Sequence, residues 1–376
     1  MGDKEIKIDY ISVTFPLVLQ PEDNELEIVM DTVKMISNYL CFNYVEVKRE
    51  EYSTLRFKYQ YNLGESTILR LSGPENDSGY RTCHLELRGE GCRDFERRND
   101  DKTWYDFFMF MLRLNGEFKR IDIAIDDKSG CEIKLDKLYE KIKNGRYTSC
   151  FNKPPKPIGF IDTGLSITFG STQSSTQLCI YDKKIEQLNK GKEVIDDYWV
   201  RYEMRFRYEK ADAVIYSFMT QYENSEDEIY GFNLRNFAFE QLYGLLDIKE
   251  DNNKNRRNQG HMDTDASWKN FLGDVKKGKI KLPDEKEFSY ESNFKWVKPK
   301  AMFYLLVRYV QCNRNKDEFI YELFKELYKL SNLNDRQIKR LNMFLHQMNL
   351  KPLTPEMFLD VRKDIFSTIE DMEMPF

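Results

Sequence analysis

RIDIAID, at residues 120–126, alternates polar and apolar side chains along its whole length. Such alternation is typical of a β-strand with one buried face. Four more segments alternate in the same way, and they are residues 6–15 (IKIDYISVTF), 83–88 (CHLELR), 177–183 (QLCIYDK) and 200–207 (VRYEMRFR). Patterns of amphipathic helices lie between the strands, at residues 24–40, 104–114 and 135–143. Because strands and helices interleave irregularly, we expect an α+β fold with an antiparallel sheet.

The composition of the 376 residues excludes several classes of protein. Aromatic residues make up 14% of the chain, whereas a disordered chain has few of them. No apolar run approaches the roughly 18 residues of a membrane span, and the charged start has no apolar leader. Seven cysteines without a CxxC pair indicate a reducing compartment, so we expect a cytoplasmic protein without a membrane partner. The net charge of −5 means that any nucleic-acid site must be a local basic patch.

The length and a change of character near residue 210 predict two domains. Residues 1–210 contain the five strand patterns and form the expected catalytic domain. Residues 211–376 are expected to form a mainly helical domain, in which 218–233 is an acidic loop and 250–265 a polar linker or long loop. The predicted helices of this part are residues 268–275, 299–311, 317–330, 335–348 and 354–371.

Polar side chains from four of the strands fall on one face, because successive residues of a strand point to opposite sides. If the strands share a sheet, this face collects an imidazole, four carboxylates, a tyrosine and several cations. They are His84, Glu86, Arg88, Arg120, Asp122, Asp126, Tyr181, Lys183, Arg201, Glu203, Arg205 and Arg207. A solvated sheet face is the ordinary alternative. Aspartate is depleted in strands, however, so two aspartates in one strand favour a chemical role.

This set of side chains is typical of a divalent-cation site that acts on phosphate. One imidazole with several carboxylates suits Mg²⁺ or Mn²⁺ better than Zn²⁺. The candidate metal ligands are His84, Glu86, Asp122, Asp126 and Glu203. Tyr181 on the same face could attack a phosphorus atom, provided that cations lower its pKa from about 10. Lys183 and Arg205 are the candidates for that catalytic help, and the arginines could also hold phosphate through two hydrogen bonds.

Five strings together resemble the replication initiation factor family. They are residues 8–15 (IDYISVTF), 84–96 (HLELRGEGCRDFE), 118–127 (FKRIDIAIDD), 166–186 (SITFGSTQSSTQLCIYDKKIE) and 199–207 (WVRYEMRFR). That family comprises the initiators of rolling-circle plasmids in Gram-positive bacteria and related relaxases of integrative conjugative elements. Its members resemble this chain in the order and spacing of the five strings rather than in one long motif.

The resemblance implies a metal-dependent enzyme that nicks and rejoins one DNA strand at a hairpin in an origin. Tyr181 would be the nucleophile that stays joined to the 5′ end. Asp122, Asp126 and Glu203 stand in the strands where the family carries acids. The resemblance also implies a UvrD-like helicase as partner, a homodimer, and a C-terminal domain that serves origin binding or dimerisation.

Basic segments are the candidates for DNA contact, because lysine and arginine neutralise phosphates. The candidate DNA-binding residues are Arg88, Lys153, Lys156, Arg201 and Arg207. Three alternatives remain open from the sequence. The chain could be a conjugative relaxase with the same chemistry, a DNA-binding initiator without activity, or a structural or RNA-binding phage protein.

Overall fold

The computed structural model describes residues 4–17, 24–54, 56–75, 81–159, 164–223, 233–250 and 262–278. Its strands are β1 (Lys4–Leu17), β2 (Val47–Arg49), β3 (Tyr59–Leu63), β4 (Thr67–Leu71), β5 (Arg81–Arg88), β6 (Glu117–Asp127), β7 (Tyr147–Ser149), β8 (Lys156–Ile158), β9 (Ser166–Phe169), β10 (Thr176–Asp182), β11 (Val200–Arg207) and β12 (Leu246–Ile248). Its helices are α1 (Glu25–Tyr39), α2 (Gly89–Arg98), α3 (Trp104–Arg113), α4 (Leu135–Lys143), α5 (Lys183–Asn189), α6 (Glu209–Glu223), α7 (Leu234–Leu245) and α8 (Ala266–Leu272).

Ten of these strands form one antiparallel sheet, in the order β2-β3-β4-β5-β1-β6-β11-β10-β9-β8. The other two, β7 and β12, pair with each other. The five strands predicted from alternation are neighbours in the middle of the large sheet, as β5-β1-β6-β11-β10. The predicted α+β fold with an antiparallel sheet is therefore confirmed.

Side-chain caps set the starts of two predicted helices. The Asn24 carboxamide oxygen accepts the N–H of Leu26 at 3.2 Å and begins α1. At α3, the Thr103 hydroxyl accepts the N–H of Asp106, and the Asp106 carboxylate accepts the N–H of Thr103 at 2.9 Å. Such reciprocal caps satisfy backbone donors that the first helical turn leaves free. Both helices therefore begin within a residue of where their sequence patterns begin.

One face of the sheet is apolar and carries the core. Ile121, Ile123 and Ile125 of β6 are at most 1% exposed. Phe108 of α3 packs edge-on against Phe118 of β6, with ring centroids 5.5 Å apart. Burial of such side chains is the main source of stability, at about 25 cal/mol for each Å² of apolar surface removed from water.

The same apolar face continues into β11. Tyr202 is fully buried, and its ring centroid lies 4.8 Å from that of Phe271 in α8. The strand alternation predicts Tyr202 to be a core residue, and this is confirmed. The polar residues of β11 consequently point to the opposite face of the sheet.

The part after residue 210 differs from its prediction in one element. Residues 218–223 belong to α6 rather than to a loop, because Phe218 packs against Phe108 at 5.2 Å between ring centroids. The compact unit that contains the sheet is Met1–Leu282, in which β12 pairs with β7 and α8 packs on β11. The division into functional domains at residues 1–210 and 211–376 stays a prediction.

The helices predicted at 299–311, 317–330, 335–348 and 354–371 lie outside the described residues, and so does most of the loop predicted at 250–265. No helix within the described ranges is long and apolar enough to cross a membrane.

Candidate active site

The register of the sheet brings the predicted polar residues onto neighbouring strands. Across β11 and β6, Arg205 lies opposite Asp122 and Arg201 lies opposite Asp126. Across β10 and β11, Tyr181 lies opposite Arg201. Directly opposite side chains of an antiparallel pair share a face, so the tyrosine, the acids and the arginines occupy one polar face.

Tyr181 sits at the end of β10 with an acid and a cation at its hydroxyl. The hydroxyl donates a hydrogen bond to Glu203 Oε2 at 2.9 Å. Lys183 Nζ lies 3.5 Å from the same hydroxyl and is paired with Glu186 at 2.5 Å. The strand ends here because the Asp182 carboxylate accepts the N–H of Ile185 at 2.8 Å and starts α5.

Burial raises the pKa of Tyr181 strongly, and the nearby Glu203 charge raises it further. The phenol is therefore protonated at neutral pH. Its proton is already directed at the Glu203 carboxylate. Burial would raise the pKa of Glu203 as well, but the charge and hydrogen bond of Arg205 outweigh it and leave that pKa lowered. Glu203 is consequently ionised and able to accept a proton.

Arg205 lies between two carboxylates. Its Nε donates to Glu203 Oε1 at 2.6 Å and lies 3.8 Å from Asp122 Oδ2. Asp122 is also held by Arg120, whose Nε and Nη2 donate to its two oxygens at 2.8 and 2.5 Å. Burial, opposed by Arg120, raises the pKa of Asp122 to about 6. Glu203, which accepts from Tyr181, thus shares one guanidinium with Asp122.

Arg201 and Asp126 form a second, more deeply buried pair. Arg201 donates to both oxygens of Asp126, at 2.6 and 2.8 Å. A third hydrogen bond of 2.8 Å joins Arg201 to Asp9, which the register shift between Ile8 and Tyr10 leaves as an extra residue of β1. Because the guanidinium is occupied by two acids and is only 6% exposed, it ties β11 to β6 and β1.

Glu86 is surrounded by donors at the other end of the polar face. Its Oε1 accepts from Tyr10 Oη and from Arg88 Nε, both at 2.8 Å. Its Oε2 accepts from Arg70 Nη1 at 2.9 Å. The same Arg70 nitrogen lies 3.1 Å from His84 Nδ1, which must therefore be the acceptor, since arginine has no lone pair to offer. Burial and the Arg70 charge lower the pKa of His84 to about 4, so the ring is neutral.

The same combination of three residue types occurs at both ends of the polar face. Tyr181, Glu203 and Arg205 form one tyrosine–glutamate–arginine group. Tyr10, Glu86 and Arg88 form the other. The Arg120 guanidinium connects them, because it lies 4.3 Å from the Tyr10 ring centroid while it binds Asp122. A cation over an aromatic face is a favourable contact. Each group pairs its tyrosine with an ionised acid.

The five predicted metal ligands do not meet at one point. Within the described residues, no group of three or more histidine, cysteine, aspartate or glutamate side chains is arranged to hold a metal ion. Each predicted carboxylate ligand accepts hydrogen bonds from arginine, and His84 Nδ1 accepts from Arg70. The donor set does not fit a divalent cation as it stands, and the ligand assignment stays a prediction.

The sequence did not predict several of the contacts in this hydrogen-bond network. Arg70 was missed because it lies on β4, where all five residues are buried and no alternation is visible. Arg120 falls on the polar face by alternation, but nothing in its strand indicates that it binds Asp122. Tyr10 and Asp9 lie in a predicted strand, yet the bulge that directs Asp9 to Arg201 leaves no mark in the sequence.

The candidate DNA-binding residues lie in different settings. Lys153 and Lys156 are exposed and line a cleft of about 730 Å³ between the 150–156 loop and the 170–176 turn. Arg207 reaches toward that turn and donates to the carbonyl oxygen of Ser174 at 3.1 Å. The Arg88 side chain is 54% exposed, whereas Arg201 is buried in the acid pairs described above.

Comparison with known proteins gives matches over most of the described chain. The model of the family described as "Replication initiation factor" matches residues 116–319, and that of "Rolling Circle replication initiation protein N-terminal domain" matches residues 5–110. A Bacillus subtilis (strain 168) protein, "Putative DNA relaxase NicK", is 30% identical over 237 residues, which are 60% of this chain and 62% of that protein. The chain thus spans about three fifths of that relative's length.

The fold also has a solved counterpart. A rolling circle replication initiator protein from Geobacillus stearothermophilus superposes with a TM-score of 0.57 at 21% identity. The match covers 74% of this chain and 99% of the other. At that identity the likeness establishes the fold.

Proposed function

Because the chain belongs to the replication initiation factor family, we propose that it nicks and rejoins one strand of origin DNA through a covalent bond to Tyr181. The observation that carries the proposal is the 2.9 Å hydrogen bond from the Tyr181 hydroxyl to Glu203. A phenol is a weak nucleophile while it is protonated, and an adjacent base is the usual means of activation.

The residues around Tyr181 can account for each bond and each proton of the proposed strand cleavage. The Tyr181 oxygen forms a bond to the phosphorus, and its proton passes to Glu203. The bond from phosphorus to the 3′ oxygen breaks, and that oxygen takes a proton from solvent to become a free 3′-hydroxyl. Lys183, 3.5 Å from the phenol oxygen, stabilises the negative charge that develops there. In the reverse reaction a 3′-hydroxyl attacks the 5′-phosphotyrosine and restores the strand.

Cations on the same face would position the phosphate. Arg205 presents a guanidinium beside Glu203, and guanidinium groups bind phosphate through two parallel hydrogen bonds. Lys153 and Lys156 line the cleft at the other end of β10 and could follow the backbone of the bound strand. Arg88, whose side chain is 54% exposed, would extend that basic path, and the buried Arg207 would hold the 170–176 turn beside the cleft.

Mg²⁺ or Mn²⁺ is expected from the family resemblance, but the predicted ligands do not fit one ion while arginines hold them. No step above depends on the metal. Its chemistry, if a cation binds, would be to polarise a phosphoryl oxygen.

A relaxase that starts conjugative transfer is the second candidate, and the similarity to a putative DNA relaxase favours it. The two functions share the chemistry and differ in the DNA that is nicked. For either function we propose a bacterial cytoplasmic setting, a UvrD-like helicase that unwinds from the nick, and a homodimer that pairs the two halves of an origin.

The test compares two tyrosines in matched surroundings. Tyr181→Phe and Tyr10→Phe each remove one hydroxyl that donates to a glutamate. Each variant is incubated with supercoiled plasmid carrying the element's own origin, with MnCl₂ and with EDTA. We expect nicked DNA and a protein–DNA adduct from wild type and from Tyr10→Phe, and origin binding without an adduct from Tyr181→Phe. An adduct that persists in Tyr181→Phe would overturn the assignment.

A further inference from the structure

The cleft beside the 170–176 turn combines positive charge with an aromatic ring. Three lysines line it, Lys153, Lys156 and Lys210, and none of the described residues in its lining is an aspartate or a glutamate. The chain as a whole carries a net charge of −5, so this concentration of cations is local. Phosphate is the anion that such a group of lysines is suited to bind.

Phe151 supplies the aromatic ring of the cleft and is half-buried. The ring packs on Phe169 of β9, with ring centroids 5.7 Å apart, so it is held in place before a ligand binds. Gly170 lies close to this ring with a φ of +79°, and a Cβ there would lie 2.7 Å from the carbonyl oxygen of Thr176. A base of any type can stack on such a ring, because every base has a π-face.

The walls of the cleft are held by hydrogen bonds to the rest of the fold. Arg207 donates to the carbonyl oxygen of Ser174 in the turn and to Gln177 Oε1 of β10, both at 3.1 Å. The N–H of Cys150 donates to the carbonyl oxygen of Leu245 at 3.2 Å. A site that is already formed loses less conformational entropy when its ligand enters.

The size of the cleft favours one DNA strand over two. Its volume of about 730 Å³ is typical of sites that enclose a small ligand and corresponds to a cube with an edge of about 9 Å. A duplex is wider, since its major groove alone measures about 12 Å across. The faces of paired bases are also covered by their neighbours in the stack, so Phe151 can stack only on a base that has left the duplex.

We propose that this cleft binds one unpaired nucleotide of the DNA strand, with the base stacked on Phe151 and the adjoining phosphates against the three lysines. The inference rests on the proposed function only in taking DNA as the ligand. It adds the binding of a base to the contacts with the backbone.

The cleft lies at a fixed distance from the proposed nucleophile. Thr176 lines the cleft, and Tyr181 stands five residues further along β10, which is about 17 Å of strand. The bound base is therefore about five nucleotides from the cut in a stacked strand that rises about 3.4 Å per nucleotide, and fewer in an extended one. A base held there determines which phosphate reaches Tyr181.

The first arm of the test removes one base at a time from the bound strand. Tyr181→Phe, which is expected to leave the strand uncut, is titrated with a fluorescent single-stranded oligonucleotide that spans the nick site of the element's own origin. Each oligonucleotide carries one abasic site and keeps all its phosphates. We expect a position several nucleotides from the nick at which the loss of the base weakens binding about fivefold or more. A scan without such a position overturns the proposal.

The second arm assigns that position to the aromatic ring. Phe151→Leu, added to Tyr181→Phe, removes the ring and keeps an apolar side chain. It should bind the intact oligonucleotide about fivefold or more weakly, and the abasic site at the critical position should then cause no further loss. If that abasic site weakens binding equally with and without the ring, the base does not stack on Phe151 and the proposal is wrong.

Phe110→Leu is the matched control. Phe110 is also half-buried and stacks on Tyr39 with ring centroids 3.6 Å apart, among the helices, so its loss should leave the abasic scan unchanged. If Phe151→Leu does not fold, iodouracil at the critical position should crosslink to Phe151 under ultraviolet light, and a crosslink only to residues outside the cleft overturns the proposal. Because these arms measure binding, their outcome is independent of whether Tyr181 is the nucleophile.

Discussion

Glu203→Gln tests the proposed proton transfer and keeps the size and shape of the side chain. The carboxylate accepts from Tyr181 at 2.9 Å and from Arg205 at 2.6 Å. The amide oxygen of glutamine can accept one of these hydrogen bonds, so the face should stay assembled. What the variant loses is the negative charge and the ability to take the phenol proton.

The expected loss follows from the role of a general base, which contributes about 10²- to 10⁴-fold to rate. The nicking rate should fall by that range, equivalent to about 3 to 5.5 kcal/mol in the activation barrier. The dependence on pH should change as well. Since the pKa of Glu203 is lowered, wild type carries its base in the active form throughout pH 6.5–8.5 and should show a nearly flat rate.

In the variant, reaction requires the phenolate, whose population rises about tenfold per pH unit below its pKa. Burial raises the pKa of Tyr181, so the rise should continue across the whole range. The assay is single-turnover conversion of supercoiled to nicked plasmid, with origin binding measured separately. Glu46→Gln is the control, because Glu46 pairs with Arg98 outside the site and carries the same change of charge. A Glu203→Gln rate within threefold of wild type, with a flat pH profile, would refute the proton transfer.

Three further outcomes are expected. Tyr202→Phe should keep full nicking and raise the unfolding free energy by about 1 kcal/mol in chemical denaturation. The reason is that the buried Tyr202 hydroxyl has no hydrogen-bond partner among the described residues. A loss of nicking would mean that Tyr202 takes part in the reaction. The double change of Lys153 and Lys156 to glutamine should weaken origin binding and reduce the slope of log affinity against log salt concentration by about 2. Binding titrations at several salt concentrations measure this slope. An unchanged slope would mean that DNA does not contact the two lysines of the cleft. Asp212→Asn should gain stability relative to wild type as the pH rises from 4 to 7, by about 1 to 2 kcal/mol. Burial raises the pKa of Asp212 to about 6. The wild-type protein therefore loses stability as its carboxyl ionises through that pKa, whereas the amide does not ionise and still accepts the N–H of Phe118. Parallel stability curves for the two proteins would contradict the raised pKa.

Alternation in the sequence predicted the centre of the sheet because each of its strands has one apolar and one polar face. Residues 120–126 illustrate this, with their isoleucines buried against helices and their charges on the other side. The same rule fails for β4, whose residues are buried on both faces, and Arg70 was lost with it. Local pattern also gives no information on which acid meets which arginine.

The pairing of charges depended on the register of β11 against β6, and the contact of Asp9 with Arg201 depended also on a bulge in β1. One extra residue at Asp9 sets how the start of β1 lies against β6, and no residue type demands it. The sequence therefore indicated an acid-rich face suited to a metal, whereas the structure pairs each of those acids with arginine. The chemistry of the residue types was predictable, and their partners were not.

The most direct measurement is mass spectrometry of the protein after reaction with a plasmid that carries its own origin, followed by nuclease and protease digestion. We predict one modified peptide, with the residual nucleotide on the phenol oxygen of Tyr181. A nucleotide found on Tyr10 or on any other residue, or nicked DNA without any modified peptide, would contradict the central role of the pair formed by Tyr181 and Glu203.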